Sequence, residues 1–391
     1  MTERKSFKMN KLLKTLIAGV SALTMCISAM PLSASAATQY QKGDVNGDRI
    51  VNSSDVLALN NFLHGSVAAK DAATAQRLDV NSDCIIDQND YVLLKNINLG
   101  LSSSISVDYS NVSNLPTQET RGYYVVDAKT ASTIDYYEIK PVSNISTSSV
   151  STCSLIGDDD RYLENGLNGV VALESGGTGF VVDKHTILTA AHCLCKSRNA
   201  ILDCYKNIKI DVYKDNCTIE KSLTPVQYHI PSNFIDMPTN NYQSYDYALI
   251  TVQEDLTDYM NFVLGVPRNE LTQKSIDIYA TGFGAGALDA YEEQHINKEL
   301  VSTTECGIKS TGKGFLSSTG LNSNYLVRYN TDVVMGNSGS PVYVIKDGIK
   351  TVIGIHKSGV NKNDHINGYN SGVRITSDIL NFVYNNDNLS Y

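Results

Sequence analysis

Three things are missing from this chain of 391 residues, and each removes a class of function. Beyond its extreme N-terminus there is no run of basic side chains, and the formal net charge is −9. A nucleic acid therefore finds no electrostatic footprint to bind. Past Met30 no apolar run approaches the ~20 residues that a membrane-spanning helix needs, so nothing anchors the mature chain in a bilayer. A second closely spaced cysteine pair is also lacking, and Cys193 with Cys195 has the wrong separation for a zinc knuckle. What is present describes a globular protein, 42% hydrophobic and 19% charged, with length for two or three domains.

The first residues read as an export signal. Arg4, Lys5, Lys8, Lys11 and Lys14 form a positive head, Leu16 to Met30 an apolar core, and Ala34-Ser35-Ala36 a small-residue cleavage site. Removal is expected after Ala36 or Ala37, which makes 1–37 the signal and the mature protein secreted and extracellular. Export permits disulfides. Of eight cysteines, Cys26 leaves with the signal and Cys84 stands apart from the rest. Cys153, Cys193, Cys195, Cys204, Cys217 and Cys306 are expected to form disulfides whose pairing the sequence leaves open.

Residues 43–65 and 78–100 are two copies of one pattern, offset by 35 residues. The first carries Asp44, Asn46, Asp48, Asn52 and Asp55 at loop positions 1, 3, 5, 9 and 12, and the second Asp79, Asn81, Asp83, Asp87 and Asp90. Oxygen-bearing side chains at this spacing turn toward a hard cation, and position 7 (Ile50, Ile85) offers its carbonyl. Short helices are predicted after each loop, over Val56 to Leu63 and Tyr91 to Ile97. Position 6, normally glycine, is Arg49 in one copy and Cys84 in the other, and position 12 is Asp rather than Glu. With no helix entering the first loop, the pattern resembles a type I dockerin, here spanning residues 40–100. That resemblance implies two structural calcium ions and a cohesin module of a scaffold protein as partner, in a cellulosome. It also implies that Ser53-Ser54 and Gln88-Asn89 help to read the cohesin. A calcium clip that only rigidifies the domain is the plainer alternative.

Residues 101–122 are rich in Ser, Asn, Thr and Gln and read as a linker. From Tyr123 to Ile139 strand-forming residues return, as an extra strand pair or part of a propeptide. Linker and propeptide together would span 101–154. The segment Leu155-Ile156-Gly157-Asp158-Asp159-Asp160-Arg161 follows.

From there onward, Val/Ile/Tyr-rich runs alternate with Gly, Asn and Asp breaks, the signature of all-β barrels. The clearest strands lie over 169–173, 179–182, 186–189 and 352–355, and a final helix is predicted over Ser377 to Tyr384, capped by Ser377. Three islands carry chemistry: Thr189-Ala190-Ala191-His192-Cys193, Tyr245-Asp246-Tyr247-Ala248-Leu249 and Gly336-Asn337-Ser338-Gly339-Ser340-Pro341. A serine hydroxyl is a weak nucleophile until an imidazole takes its proton, and a buried carboxylate must hold that imidazole in the right tautomer. His192, Asp246 and Ser338 supply those groups, while Gly336 allows its own N–H and that of Ser338 to face an oxyanion. The order His, Asp, Ser is that of chymotrypsin-like proteases.

Residues 155–391 resemble the bacterial glutamyl endopeptidase branch of those proteases. The resemblance implies a double β-barrel with a C-terminal helix, and cleavage of peptide bonds after Glu. The segment at 155–161 is similar to that near the mature N-terminus of this branch, where a propeptide is removed. Val352-Ile353-Gly354-Ile355-His356 is similar to the strand that sets a histidine against the substrate carboxylate, which makes His356 a substrate-binding candidate. Val333 stands where the branch often has threonine, and Lys357-Ser358-Gly359 replaces its Trp-Gly type residues. The whole reads as an all-β catalytic domain plus a small helical calcium module. The contrasting expectation is an inert protease fold serving as a scaffold-bound binding or structural module.

Overall fold

Two curled sheets carry the catalytic half of the chain. The structure is a computed structural model that describes residues 42–69, 71–102, 115, 121–138, 161–163, 167, 169–197, 203–214, 218–237, 241–284, 309–317, 320–321, 325–359 and 369–384. The expected signal at 1–37, the segment 155–160 and the cysteines at 26, 153, 217 and 306 lie outside these residues.

The first sheet has nine strands in the spatial order Ile219–Leu223, Ile210–Tyr213, Val170–Leu173, Gly177–Asp183, Thr186–Thr189, Ala248–Val252, Pro225–Pro231, Gly122–Asp127 and Ser132–Glu138. Its interior is made of β-branched and aromatic residues such as Val170, Phe180, Ile187, Ile250 and Tyr228, all fully buried. The last two strands come from the stretch where strand-forming residues return after the expected linker. They form a hairpin that pairs with Pro225–Pro231, Tyr228 opposite Val126, and add two strands to the sheet. The second sheet has the order Leu326–Tyr329, Asn370–Arg374, Ile349–Ser358, Pro341–Lys346, Ile278–Gly282, Ser310–Gly314 and Tyr162–Leu163. A helix forms over Ser377–Tyr384 as predicted, burying Ile379, Leu380, Phe382 and Val383, but its cap is Thr376 rather than Ser377: Thr376 Oγ1 accepts from Ile379 N–H at 3.4 Å, and Ser377 is the first helical residue. Among the described residues no helix is long and apolar enough to cross a membrane.

The duplicated front segment folds into helices Ser53–Leu63, Ala72–Leu78 and Gln88–Asn98. The first and third begin three residues earlier than predicted. Asn52 and Asp87 act as N-caps, while Asp55 and Asp90 reach back to the cap N–H in reciprocal capping boxes. The helix at Ala72–Leu78 was not predicted; it is short and capped by Asp71.

This segment is not a satellite. Contacts join Tyr40–Tyr391 into one unit. The short strand Ile85–Ile86, at positions 7 and 8 of the second loop, pairs antiparallel with Val266–Pro267 of the catalytic half. Successive strand residues face opposite ways, and here Ile86 joins the core of the first sheet while Ile85 joins that of the second.

Candidate active site and calcium loops

Strand register delivers the catalytic candidates. Thr189 pairs with Ala248, so His192, three residues past one strand, and Asp246, two before the other, emerge at the same end. His192 donates its backbone N–H to Asp246 Oδ1 at 2.9 Å, and its Nδ1 lies 2.7 Å from Oδ2. Both carboxylate oxygens are thus committed to one residue, which fixes the ring in position and tautomer. Burial works against a charged imidazole, but the Asp246 carboxylate and then the Cys193 side chain offset it and hold His192 well above the usual imidazole range. For Asp246 burial acts to raise the pKa, and His192 overcomes it to leave the carboxyl below its usual range. The His192 side chain keeps 38% of its surface open, against 9% for Asp246, so one face of the pair meets solvent and any substrate.

The third island is a tight turn wedged against the same strands. Gly336 and Gly339 take positive φ, at 101° and 88°. A Cβ on Gly339 would fall 2.0 Å from the Thr178 carbonyl oxygen, so only glycine fits where the turn meets the strand. The Ser338 carbonyl accepts from Thr178 N–H at 2.7 Å and from Cys193 Sγ at 3.4 Å, which sets the serine beside the residue that follows His192. Among the described residues, the N–H groups of Gly336 and Ser338 have no hydrogen-bond partner, as donors kept for an oxyanion require.

Residues outside the predicted catalytic set build this turn. Thr178 Oγ1 donates to the Gly336 carbonyl at 2.8 Å and accepts from Phe283 N–H at 3.0 Å. Buried Asn337 folds its Oδ1 back onto Val334 N–H at 2.9 Å. A threonine between two glycines and an asparagine inside a Gly-Ser turn carry no signal of their own.

His356 is fully buried and pushed down to about 3 by burial, with the charges of His192 and Lys357 adding to the effect. That shift favours a neutral, hydrogen-bonding ring at physiological pH. Its backbone brackets the serine turn, accepting from Gly339 N–H at 2.7 Å and donating to the Ser340 carbonyl at 2.8 Å. Its Nδ1 meets the Tyr329 hydroxyl at 2.5 Å. Lys357 is buried and donates to Gln243 Oε1 at 3.0 Å.

The expected disulfides are not formed among the described residues, where Cys84, Cys193, Cys195 and Cys204 are buried thiols. Cys193 Sγ faces Gly177, where a Cβ would lie 2.5 Å away, and donates to the Ser338 carbonyl. Cys195 and Cys204 are cross-strand neighbours with sulfurs 3.5 Å apart.

In the duplicated loops, Arg49 and Cys84 hold φ at 73° and 72°, the left-handed turn for which position 6 of a calcium loop ordinarily uses glycine. Loop curvature therefore survives both departures. In the first loop Asp44 accepts from Gly47 and Arg49 N–H, Asp48 from Ile50 N–H, and Asp55 from Asn46 and Asn52 N–H. The second loop repeats this, with Asp79 accepting from Cys84 N–H and Asp90 from Asn81 and Asp87 N–H. Among the described residues no three His, Cys, Asp or Glu side chains are gathered as a metal cluster. The donor set nonetheless fits calcium: all oxygen, with Asp44, Asp55, Asp79 and Asp90 fully buried. Burial pushes Asp55, Asp79 and Asp90 up, and among the described residues Asp79 Oδ1 has no partner, penalties that a bound cation relieves. The second loop differs in one respect: Arg268 Nη1 lies 2.6 Å from Asp79 Oδ2, and Lys346 Nζ 2.6 Å from Asp83 Oδ2.

Two β-sheet halves, an Asp-held histidine and a glycine-flanked serine turn define a chymotrypsin-like serine protease fold. The chain belongs to the trypsin family, whose model matches residues 157–382, and the model of the dockerin type I domain matches residues 42–98. Among solved structures, one of a Glu endopeptidase in complex with MPD aligns with a TM-score of 0.45 and 17% identity, covering 59% of this chain and 97% of that one. No curated protein matches the chain.

Proposed function

We propose that the chain is a secreted serine endopeptidase carried on a cellulosome scaffold by its dockerin. The observation that carries the catalytic part is the double grip of Asp246 on His192. Ser338 Oγ adds to the peptide carbonyl carbon while its proton passes to His192 Nε2. The carbonyl oxygen becomes an oxyanion held by the N–H groups of Gly336 and Ser338. The C–N bond then breaks as His192 returns the proton to the leaving amine, and water repeats the sequence on the acyl-serine ester to free the acid and Ser338. Asp246 stays ionised and orients the ring.

A preference for Glu before the scissile bond is part of this proposal, in a form suited to a neutral ring. With the Tyr329 hydroxyl donating to Nδ1, the His356 proton resides on Nε2, a donor for a substrate carboxylate. The dockerin would hold calcium through Asp44, Asn46, Asp48, Asn52 and Asp55 in one loop and Asp79, Asn81, Asp83, Asp87 and Asp90 in the other, with the carbonyls of Ile50 and Ile85. Calcium supplies loop rigidity and takes no part in peptide cleavage. Ser53 and Ser54 are exposed at the start of the first helix, where a cohesin can reach them.

Digestion of a protein mixture, with cleavage sites mapped by mass spectrometry, tests this reading. Cuts after Glu or Asp are expected, and they vanish in Ser338→Ala while calcium-dependent cohesin binding persists. Equal activity in the mutant would overturn the assignment of the nucleophile, and cuts after other residues would remove the carboxylate pocket.

A further inference from the structure

The second calcium loop is seated on the catalytic domain by the same carboxylates that would hold its ion. Arg268, directly after the short strand Val266–Pro267, pairs with Asp79 at loop position 1 and is only 7% exposed. Lys346, at the end of strand Pro341–Lys346, pairs with Asp83 at position 5. Thr351 Oγ1 donates to Asp87 Oδ2 at position 9, at 2.7 Å. The backbone completes the seat. Arg268 N–H donates to the Cys84 carbonyl at 2.7 Å, Ile85–Ile86 pairs with Val266–Pro267, and Gly265 leaves no room for a Cβ, which would fall 2.8 Å from Ile85. From within the module, the Lys42 ammonium donates to Ser82 Oγ of the same loop. Both loops meet their carboxylates with their own N–H groups, but among the described residues the ion pairs from the catalytic half reach the second loop alone; beside the first, Arg77 lies over Gly47 and donates to Thr74.

We infer that Arg268 and Lys346 act as resident counter-cations of the second loop, so that calcium there and the loop's seat on the catalytic domain oppose one another. The inference rests on the calcium-binding reading given above. A fixed positive charge beside a dication disfavours it even where an oxygen such as Asp79 Oδ1 remains available. Linkage makes the effect mutual: whatever factor the seat takes from calcium affinity, calcium takes from the seat. The two loops, alike in ligands, then differ in affinity. The catalytic domain sets the occupancy of the second.

Calcium titration by calorimetry on the full chain carrying Ser338→Ala, to prevent self-digestion, tests this. One tighter and one weaker site are expected, the tighter removed by Asp44→Ala in the first loop. Adding Arg268→Gln and Lys346→Gln should tighten the weaker site about tenfold and leave the other unchanged. Lys346→Gln alone, at a half-exposed position that folding tolerates, should shift it in the same direction. Hydrogen exchange gives an independent readout, since saturating calcium should speed exchange of the Arg268 amide. Two sites of equal affinity that ignore these substitutions, or an Arg268 amide slowed or unchanged by calcium, would overturn the inference while leaving the calcium module standing. No calcium at either loop in any variant would overturn both.

Discussion

Tyr329 shows how much of the proposed specificity rests on a residue that the motifs do not contain. It lies fully buried in strand Leu326–Tyr329 with its hydroxyl against His356 Nδ1, and in the proposed pocket it donates there and so leaves the His356 proton on Nε2. Tyr329→Phe preserves the ring and removes that hydrogen bond, worth about 0.5–1.5 kcal/mol, or up to about tenfold in rate. We expect kcat/KM to fall by that order for peptides with Glu before the scissile bond. Matched peptides with Gln there should be cut as before. Equal losses on both would mark Tyr329 as a packing residue and sink the tautomer argument. Of the residues around the site, His192, Asp246, Gly336 and Ser338 were legible because each needs a particular neighbour sequence: a small-residue turn, an apolar strand, a glycine at positive φ. Thr178, Asn337 and Tyr329 act through contacts between segments distant in sequence. The hydrogen bonds of Thr178 with Gly336 and of Tyr329 with His356 exist only once the sheets have folded.

At the scale of elements, legibility followed periodicity and capping. Strand 186–189 and helix Ser377–Tyr384 appear as expected, because a continuous apolar run between polar breaks and an apolar helical face are local signals, although the cap is Thr376, one residue before the serine read as capping. The loop helices were read three residues short because metal-ligand positions 9 and 12 serve also as cap and capping box. The sequence pattern weighs them as ligands only. The contact of the first of these helices with the C-terminal helix could not be read at all. Gly65, at φ 66°, follows the helix and abuts the backbone of Asn381, whose side chain donates to the Gly65 carbonyl at 2.8 Å. A Cβ at Gly65 would lie 2.2 Å from Asn381 N, whereas at Gly100, with φ 71°, nothing lies within 4 Å. Gly100→Ala should therefore cost only backbone strain, about 1 kcal/mol, and Gly65→Ala that strain plus a backbone collision, about 2 kcal/mol or more in total. Denaturant midpoints at constant m measure both. Equal losses would mean that the helix contact is not held in solution.

For the molecule as a whole, the composition suggested modules joined by a linker, yet the packing binds the front segment into the catalytic half. Leu59, Phe62, Leu78, Ile86 and Leu94 belong to the same buried cluster as Val170, Ile187 and Phe382, and Cys84 and Ile85 belong to that of Val327, Val342 and Ile353. Burying an isoleucine contributes about 1.5–3 kcal/mol, so Ile85 and Ile86 alone give the interface several kcal/mol before Arg268 and Lys346 are considered. Segments that share cores unfold together. Calorimetry of the Ser338→Ala chain should accordingly show one transition, with calorimetric and van't Hoff enthalpies in agreement. Chelating calcium should lower that single midpoint, because the energy lost from the first loop is lost from the only cooperative unit. A separate early transition that appears on chelation, with the second unmoved, would show the dockerin to be an independent module. The seat of its second loop on the catalytic domain would then add nothing to the stability of either.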